Sequence, residues 1–168
     1  MMNTTLRKRQ VFLMVAAVVA LVAIWTAPDF NETRAGDITQ AQKKLATAPV
    51  VFSGAGHPDV TFTAELARSE EEQHIGLMFR TKMNNDEGML FTYDEPQVLT
   101  MWMKNTLLPL DMVFIDKDHK VIRIEENAEP QTLNVRSSLE PAIAVLELNA
   151  GVAAAQKLKA GDLVTYPQ

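Results

Sequence analysis

The stretch 101–106, with the sequence MWMKNT, concentrates chemically active side chains. In an extended strand, successive side chains point to opposite faces. The residues then divide into Trp102, Lys104 and Thr106 on one face and Met101, Met103 and Asn105 on the other. An aromatic ring, a cation and a hydroxyl on one face suit a ligand that carries an anionic or polar group. The alternative is a solvent-exposed face with one packed tryptophan.

Asp111 is a carboxylate at the start of an apolar run. It shares a strand face with Val113 and Ile115, so we expect it to be at least partly buried. A buried carboxylate needs a cation or several hydrogen-bond donors, and its pKa is open to perturbation. Arg80 and Lys104 are the expected cationic partners. The structural alternative is a carboxylate that holds backbone amides at a turn.

Glu147 is a second acid in an apolar setting, because it interrupts the run AVLEL at 144–148. Acidic side chains are seldom fully buried unless they are paired. If Glu147 faces Asp111, the two form a carboxylate pair of the kind that hydrolases use for acid/base catalysis. Both are therefore catalytic candidates. A Glu147–Arg80 ion pair that only supports the fold is the alternative.

The nine methionines raise the question of a metal site. Met101 and Met103 form a thioether pair of the kind that selects copper(I). Filling of irregular gaps in the core is the simpler interpretation of the same pair. His57, His74 and His119 stand singly, without metal-ligand spacing, and no zinc signature, phosphate loop or nucleophile elbow occurs. We therefore predict no metal and no cofactor.

These residues must be positioned by short strands. Eight segments have strand character: residues 50–52, 60–66, 88–91, 98–103, 110–116, 120–125, 142–148 and 163–166. A capping box formed by Ser69 and Glu72 begins a helix that ends near Gly76. An alanine-rich helix is expected over 151–159, with Gly161 as its capping glycine. Seven or eight short strands with two short helices predict a compact α+β domain, mostly antiparallel β.

Three phrases in this region match a known pattern: GLMFR at 76–80, GMLF at 88–91, and MWMKNT at 101–106, followed by Pro109 and Asp111. Together they resemble the DUF192 (UPF0127) family, and the resemblance covers about residues 50–167. It implies a small, β-rich domain that is exported or anchored to a membrane. The family has no agreed biochemical activity, so the resemblance bears on fold and location more than on function.

The N-terminus predicts export, because three basic residues at 7–9 precede an uncharged run at 11–27. We expect a cytoplasmic n-region at 1–10, a hydrophobic helix at 11–27 that is a signal anchor or signal peptide, a polar linker at 28–48, and an extracytoplasmic domain at 49–168. Trp25 fits poorly at a cleavage site after Ala27, which favours a retained anchor. The domain would then face the periplasm from the inner membrane; cleavage would release it into the periplasm.

Charge and cysteine content exclude several classes of protein. Residues 1–35 carry a net charge of +2, and the rest of the chain has 12 basic and 19 acidic residues, for a total of −5. An acidic domain without a basic stripe is unsuited to nucleic acid. The absence of cysteine excludes disulfides, thiol catalysis and a lipoprotein anchor.

The leading hypothesis is a binding module for a small polar ligand or a cell-envelope partner. Its predicted ligand-binding residues are Arg80, Trp102, Lys104, Asn105, Thr106 and Asp111. The alternatives are an envelope hydrolase that uses Asp111 and Glu147, a copper(I) carrier that uses Met101 and Met103, and a structural domain without a ligand.

Overall fold

The structure, a computed structural model, describes residues 38–167. The elements are β1 (Thr47–Ser53), β2 (Val60–Ala67), α1 (Glu70–Ile75), β3 (Glu87–Met101), β4 (Leu110–Ile115), β5 (Val121–Ala128), β6 (Arg136–Asn149), α2 (Val152–Ala155) and β7 (Leu163–Thr165). The predicted segments 1–10 and 11–27 and the predicted N-terminal hydrophobic helix lie outside the described residues. Within the described range, no helix is long and apolar enough to cross a bilayer.

The seven strands form one mixed sheet in the order β5-β4-β6-β3-β2-β1-β7. Neighbours are antiparallel except β2 and β3, which are parallel. The sheet curls until its two edges meet, because Lys120, next to β5, bridges Leu163 of β7. The Val121 amide also donates to the Asp162 carbonyl at 2.9 Å. The prediction of a β-rich domain with two short helices is confirmed. The helices have only six and four residues, so mostly β describes the domain better than α+β.

The two faces of the curled sheet bury different apolar clusters. The inner face is filled from all seven strands, with residues such as Phe52, Phe62, Leu90 and Leu146. The outer face of β3, β4 and β6 carries a second cluster, here called the outer layer. Its buried members are Ala67, Leu77, Met89, Phe91, Leu99, Met103, Leu110, Met112, Phe114, Ala128, Ala142 and Val145. Two residues of the predicted site, Trp102 and Thr106, lie where this outer layer meets α1.

The segments predicted at 88–91 and 98–103 belong to one strand, β3, which ends at Met101. A polar, proline-containing run at 92–97 separates the two segments in the sequence. In the structure, β2 pairs with β3 only as far as Phe91, and the register between β3 and β6 shifts between Thr92 and Gln97. Pro96 is tolerated because proline is compatible with edge strands and bulges, where no ladder hydrogen bond is lost. The predicted alternation of side chains therefore does not continue through residues 102–106.

Candidate functional site

Glu147 lies near the C-terminal end of β6, facing the outer layer. Its neighbours across the sheet are Met89 on β3 and Met112 on β4, both fully buried. Only 4% of Glu147 is exposed, and no residue of the described range donates a hydrogen bond to its carboxyl group. Burial away from water raises its pKa from 4.5 to about 8. At neutral pH the carboxyl group is therefore mostly protonated.

A cavity of about 100 Å³ opens beside Glu147. We call it the Glu147 cavity. It is bounded by the last turn of α1, by β3 and by the chain beyond the end of β3. The residues that line it are Gln73, His74, Ile75, Gly76, Leu77, Met78, Phe91, Tyr93, Thr100, Met101, Trp102, Thr106 and Glu147. Among these, Glu147 is the only carboxylic acid, and no lysine or arginine is present.

Local capping interactions hold α1 over this cavity. The Ser69 hydroxyl accepts from the Glu72 amide at 3.2 Å, and the Glu72 carboxylate accepts from the Ser69 amide at 2.9 Å. This is the capping box that the sequence predicts. The side-chain amide of Gln73 donates to the Thr92 carbonyl at 2.8 Å, which fastens the helix to β3.

Gly76 ends α1 with a φ of 50°, a conformation that favours glycine. A Cβ atom at this position would lie 3.2 Å from the Phe91 ring, so the close approach of the turn to β3 also requires glycine. The turn that follows places Leu77 and Met78 against the outer layer and the cavity wall.

Trp102 stands beside the cavity with 42% of its surface exposed. The Lys104 ammonium lies 5.6 Å from the centroid of its ring, and the His74 ring meets it edge-on at 6.4 Å. A shallower groove of about 430 Å³ shares five lining residues with the cavity and adds Glu70 and Val135. The groove therefore continues outward from the cavity past Trp102.

Asp111 points to the opposite face of the sheet from Glu147. In the β4–β6 pair it lies across from Leu148, whereas Glu147 lies across from Met112. Paired residues share a face and adjacent residues do not, so the two carboxyl groups do not meet. The Asp111–Glu147 catalytic pair is therefore not assembled.

Asp111 is fully buried and is satisfied by the backbone. Its carboxylate accepts from the Asn127 amide at 2.9 Å and from the Ala153 amide at 3.0 Å. Ala153 is in the first turn of α2, whose preceding residue, Gly151, offers no side-chain cap. Asp111 thus supplies that cap from β4 and fixes α2 to the sheet. The structural alternative for Asp111 is the one observed.

Arg80 contacts neither acid named in the sequence prediction. Its guanidinium donates to the Glu65 carboxylate at 2.9 Å, and the same oxygen accepts from the Leu45 amide at 2.8 Å. Both members of the ion pair are mostly buried. Arg80 lines a separate small hollow, so it does not belong to the Glu147 cavity.

Of the remaining predicted ligand-binding residues, some line the Glu147 cavity and others do not. Thr106 is buried and lines the cavity, while Lys104 is exposed and contacts it only through Trp102. Asn105 adopts a φ of 55°, and its side chain approaches the Met78 sulfur at 3.9 Å. The structure thus brings Trp102 and Thr106 together with Glu147.

The methionine pair is separated as well. Met103 is fully buried in the outer layer, and Met101 is at the edge of the cavity. Because β3 ends at Met101, the two do not share a strand face. No group of three or more His, Cys, Asp or Glu side chains within residues 38–167 is arranged to hold a metal ion.

Sequence reasoning did not identify His74, Phe91 and Tyr93 as parts of a site. Phe91 lies inside the GMLF phrase, which was a usable signal. His74 is on α1, and Tyr93 is in the run at 92–97, between the two predicted strand segments. No local pattern indicates that these two reach the same cavity.

Fold and site together define a small domain with a curled seven-stranded sheet and a cavity on its outer face, under a six-residue helix. The family model DUF192, described as "Uncharacterized ACR", matches residues 50–166. The chain belongs to this family, as the three phrases predict. No match is found among curated proteins.

Two solved structures share the fold. One, from Sinorhizobium meliloti 1021 and described as a "putative transcription regulator", has 39% sequence identity and a TM-score of 0.72; the match covers 75% of this chain and 98% of that one. The other, a protein of unknown function from Novosphingobium aromaticivorans DSM 12444, has 41% identity and a TM-score of 0.70, over 72% of this chain and 86% of that one.

Proposed function

We propose that the domain is a binding module that takes a small ligand into the Glu147 cavity through a hydrogen-bond donor on the ligand. The observation that carries the proposal is a carboxyl group, 4% exposed, that lines a cavity and has no donor among the described residues. A ligand that donates a hydrogen bond to this carboxyl group would gain about 0.5–1.5 kcal/mol from that bond.

The composition of the cavity favours binding over catalysis. Its walls combine apolar and aromatic side chains with the polar side chains of Gln73, His74, Thr100, Thr106 and Glu147. Such a combination is typical of small-ligand sites. Acid/base hydrolysis by a carboxyl pair needs a second acid nearby. Glu147 is the single acid among the lining residues.

The three phrases that mark the family also support this location. Leu77 and Met78 come from the first phrase, Phe91 from the second, and Trp102 and Thr106 from the third, and all five line the cavity. Segments far apart in the sequence thus contribute to one concave surface.

The domain works outside the cytoplasm on this proposal. Its support is the basic cluster at 7–9, followed by the uncharged run at 11–27. The ligand would then be a component of the cell envelope, or a side chain of an envelope protein. Protease added to spheroplasts should digest residues 38–167 of the chain, and protection until lysis would refute this location.

Nucleic acid is a poor candidate for the partner. Residues 36–168 carry 12 basic and 19 acidic side chains. A protein that binds the phosphate backbone needs a basic surface, because the released counterions supply much of the affinity. The description given to the Sinorhizobium meliloti structure is therefore not extended to this chain.

The binding proposal is tested with the full-length chain in detergent micelles. Water-soluble envelope metabolites are screened by ligand-observed NMR against the wild type, Glu147→Leu and Glu140→Leu. Glu140 is a matched control, since it is an exposed acid on the same strand. Ligands of the cavity should lose binding to Glu147→Leu, because leucine has no hydrogen-bond acceptor, and should keep binding to Glu140→Leu. If every ligand of the wild type binds both variants equally, the site is elsewhere.

A further inference from the structure

We propose that the ligand of the Glu147 cavity carries a protonated primary amine on a short aliphatic stem, with the ammonium group against the Glu147 carboxylate. The inference rests on the proposed binding function and names the class of ligand. The same chemistry is offered by a free alkylamine and by a lysine side chain of an envelope protein. The experiment below separates these two sources.

The first argument is the charge of the cavity. Glu147 lines it, and none of the lining residues is a lysine or arginine. Neither of the two nearby cations is paired with Glu147: Arg80 binds Glu65, and Lys104 lies against the Trp102 ring without lining the cavity. A buried carboxylate is stable only when it is paired or receives several hydrogen bonds. The missing cation can therefore come from the ligand.

The second argument is the type of wall around the carboxyl group. The rings of Phe91, Tyr93 and Trp102 line the cavity, and aromatic faces attract cations. Trp102 already attracts the Lys104 ammonium. The Thr106 hydroxyl donates to the Lys104 carbonyl at 3.3 Å, which leaves its lone pairs to accept from an ammonium group. An anionic head group would find no matching cation on these walls.

The third argument is size. A cavity of about 100 Å³ admits an ammonium group and a few methylenes. The adjoining groove of about 430 Å³ leads away over Met101, Trp102 and Val135, which suits an apolar stem. Its polar edge carries Glu70, a second acid that would favour a cationic ligand entering from solvent.

The pairing has a consequence for protons. Burial raises the pKa of Glu147 to about 8, so the free site is mostly neutral at pH 7. An ammonium ligand selects the ionised form, and its binding releases close to one proton at that pH. Affinity should rise about tenfold between pH 7 and pH 9, because the ionised fraction of Glu147 rises by about that factor. His74 and Tyr93 are the other titratable groups that line the cavity.

The test uses isothermal titration calorimetry on the full-length chain in detergent micelles, in buffers of different ionisation enthalpy. The ligands are 1-butylamine, Nα-acetyl-lysine N-methylamide, 1-butanol and butyrate. Both amines should bind at least tenfold more tightly than butanol at pH 9, with proton release at pH 7. Tighter binding of the lysine derivative than of butylamine would support a protein side chain as the source. Tighter binding of butylamine would support a free amine.

Four variants sharpen the result. Glu147→Gln should abolish both the amine preference and the proton release, and Glu140→Gln should keep both. His74→Gln and Tyr93→Phe should keep the tenfold pH dependence, since neither group supplies the pairing charge. Trp102→Ala should weaken amine binding by about fivefold through the lost aromatic contact, while the proton release remains.

Three results would overturn the inference. If butanol binds as tightly as butylamine, or if Glu147→Gln keeps the amine preference, the ligand is not an amine, although the binding function stands. If none of these compounds and none of the envelope metabolites binds the wild type, the inference and the proposed function both fail. Circular dichroism of each variant confirms that it is folded before it is titrated.

Discussion

Replacing Glu147 by glutamine should change how the stability of the domain depends on pH. The carboxyl group has a pKa of 4.5 in a solvated chain and about 8 in the folded domain, because burial disfavours the charged form. The folded state therefore holds the proton more tightly than the unfolded state. Between these two pKa values, ionisation of the Glu147 carboxyl group stabilises the unfolded state but does not stabilise the folded state. Glu147 thus lowers stability as pH rises through this window, opposite to a salt-bridged carboxylate.

The size of the effect follows from the two pKa values. At pH 5 the loss of stability from Glu147 is about 1 kcal/mol, at pH 7 about 3 kcal/mol, and above pH 8 it levels off at about 5 kcal/mol. These losses are large beside a typical domain stability of about 5–15 kcal/mol. Glutamine has similar shape and cannot ionise, so its own cost of burial is the same at every pH. The free energy of unfolding of Glu147→Gln minus that of the wild type should therefore increase by about 4 kcal/mol between pH 5 and pH 9.

Urea denaturation followed by circular dichroism at pH 5, 7 and 9 measures this difference. The control is Glu140→Gln, which removes an exposed carboxyl group from the same strand. Equal pH profiles for Glu147→Gln and the wild type would refute the reasoning, because they would mean that Glu147 titrates alike in the folded and unfolded states. If the free energy of unfolding of Glu147→Gln minus that of the wild type decreased between pH 5 and pH 9, a cation would lie beside Glu147.

Three further changes test the other polar contacts by urea denaturation. Asp111→Ala should lower the free energy of unfolding by about 3 kcal/mol, since two backbone amides lose their buried acceptor. If this variant kept its stability but lost ligand binding, Asp111 would be a ligand-binding residue and not a structural one. Arg80→Met should cost about 2 kcal/mol by leaving the Glu65 carboxylate without its cation, with cavity binding unchanged. Hydrogen bonds to the Pro58 carbonyl and the Asp162 carboxylate raise the pKa of His57 above 6.5, so its contribution is complete below about pH 6.5 and is lost at higher pH. His57→Gln should therefore destabilise the domain more at pH 6 than at pH 9, and an equal effect at both would contradict the charged pairing.

Local signals in the sequence were sufficient for most of the secondary structure. Alternation over 60–66 and the capping box at Ser69 depend only on neighbouring residues, and both correspond to observed elements. The parallel pairing of β2 with β3 and the meeting of the sheet edges depend on contacts between distant segments. Periodicity carries no information about such pairings, so the curl of the sheet could not be predicted from it.

The error over the carboxyl pair has a similar cause. Asp111 and Glu147 each interrupt an apolar run, and each is buried as expected. Whether they face each other depends on the register between β4 and β6. A shift of one residue in that register reverses the face on which a side chain lies. Neither strand alone contains that information, which is why two correctly identified buried acids were combined into a pair that does not exist.

The comparison of these two acids shows how a ligand site differs from a structural one in this fold. Asp111 belongs to a family phrase, yet its carboxylate is satisfied by two backbone amides and already has a task in holding α2. Arg80 also belongs to a phrase and is bound to Glu65. Glu147 lies outside the phrases, and its carboxyl group has no donor among the described residues, although it lines a cavity. Membership in a motif therefore does not separate binding residues from structural ones. The lack of a hydrogen-bond partner alone does not either, because the Nε atom of Arg80 is buried without a partner although Arg80 is held by Glu65. What distinguishes Glu147 is that its carboxyl group, without a donor among the described residues, lines a cavity that a ligand can enter.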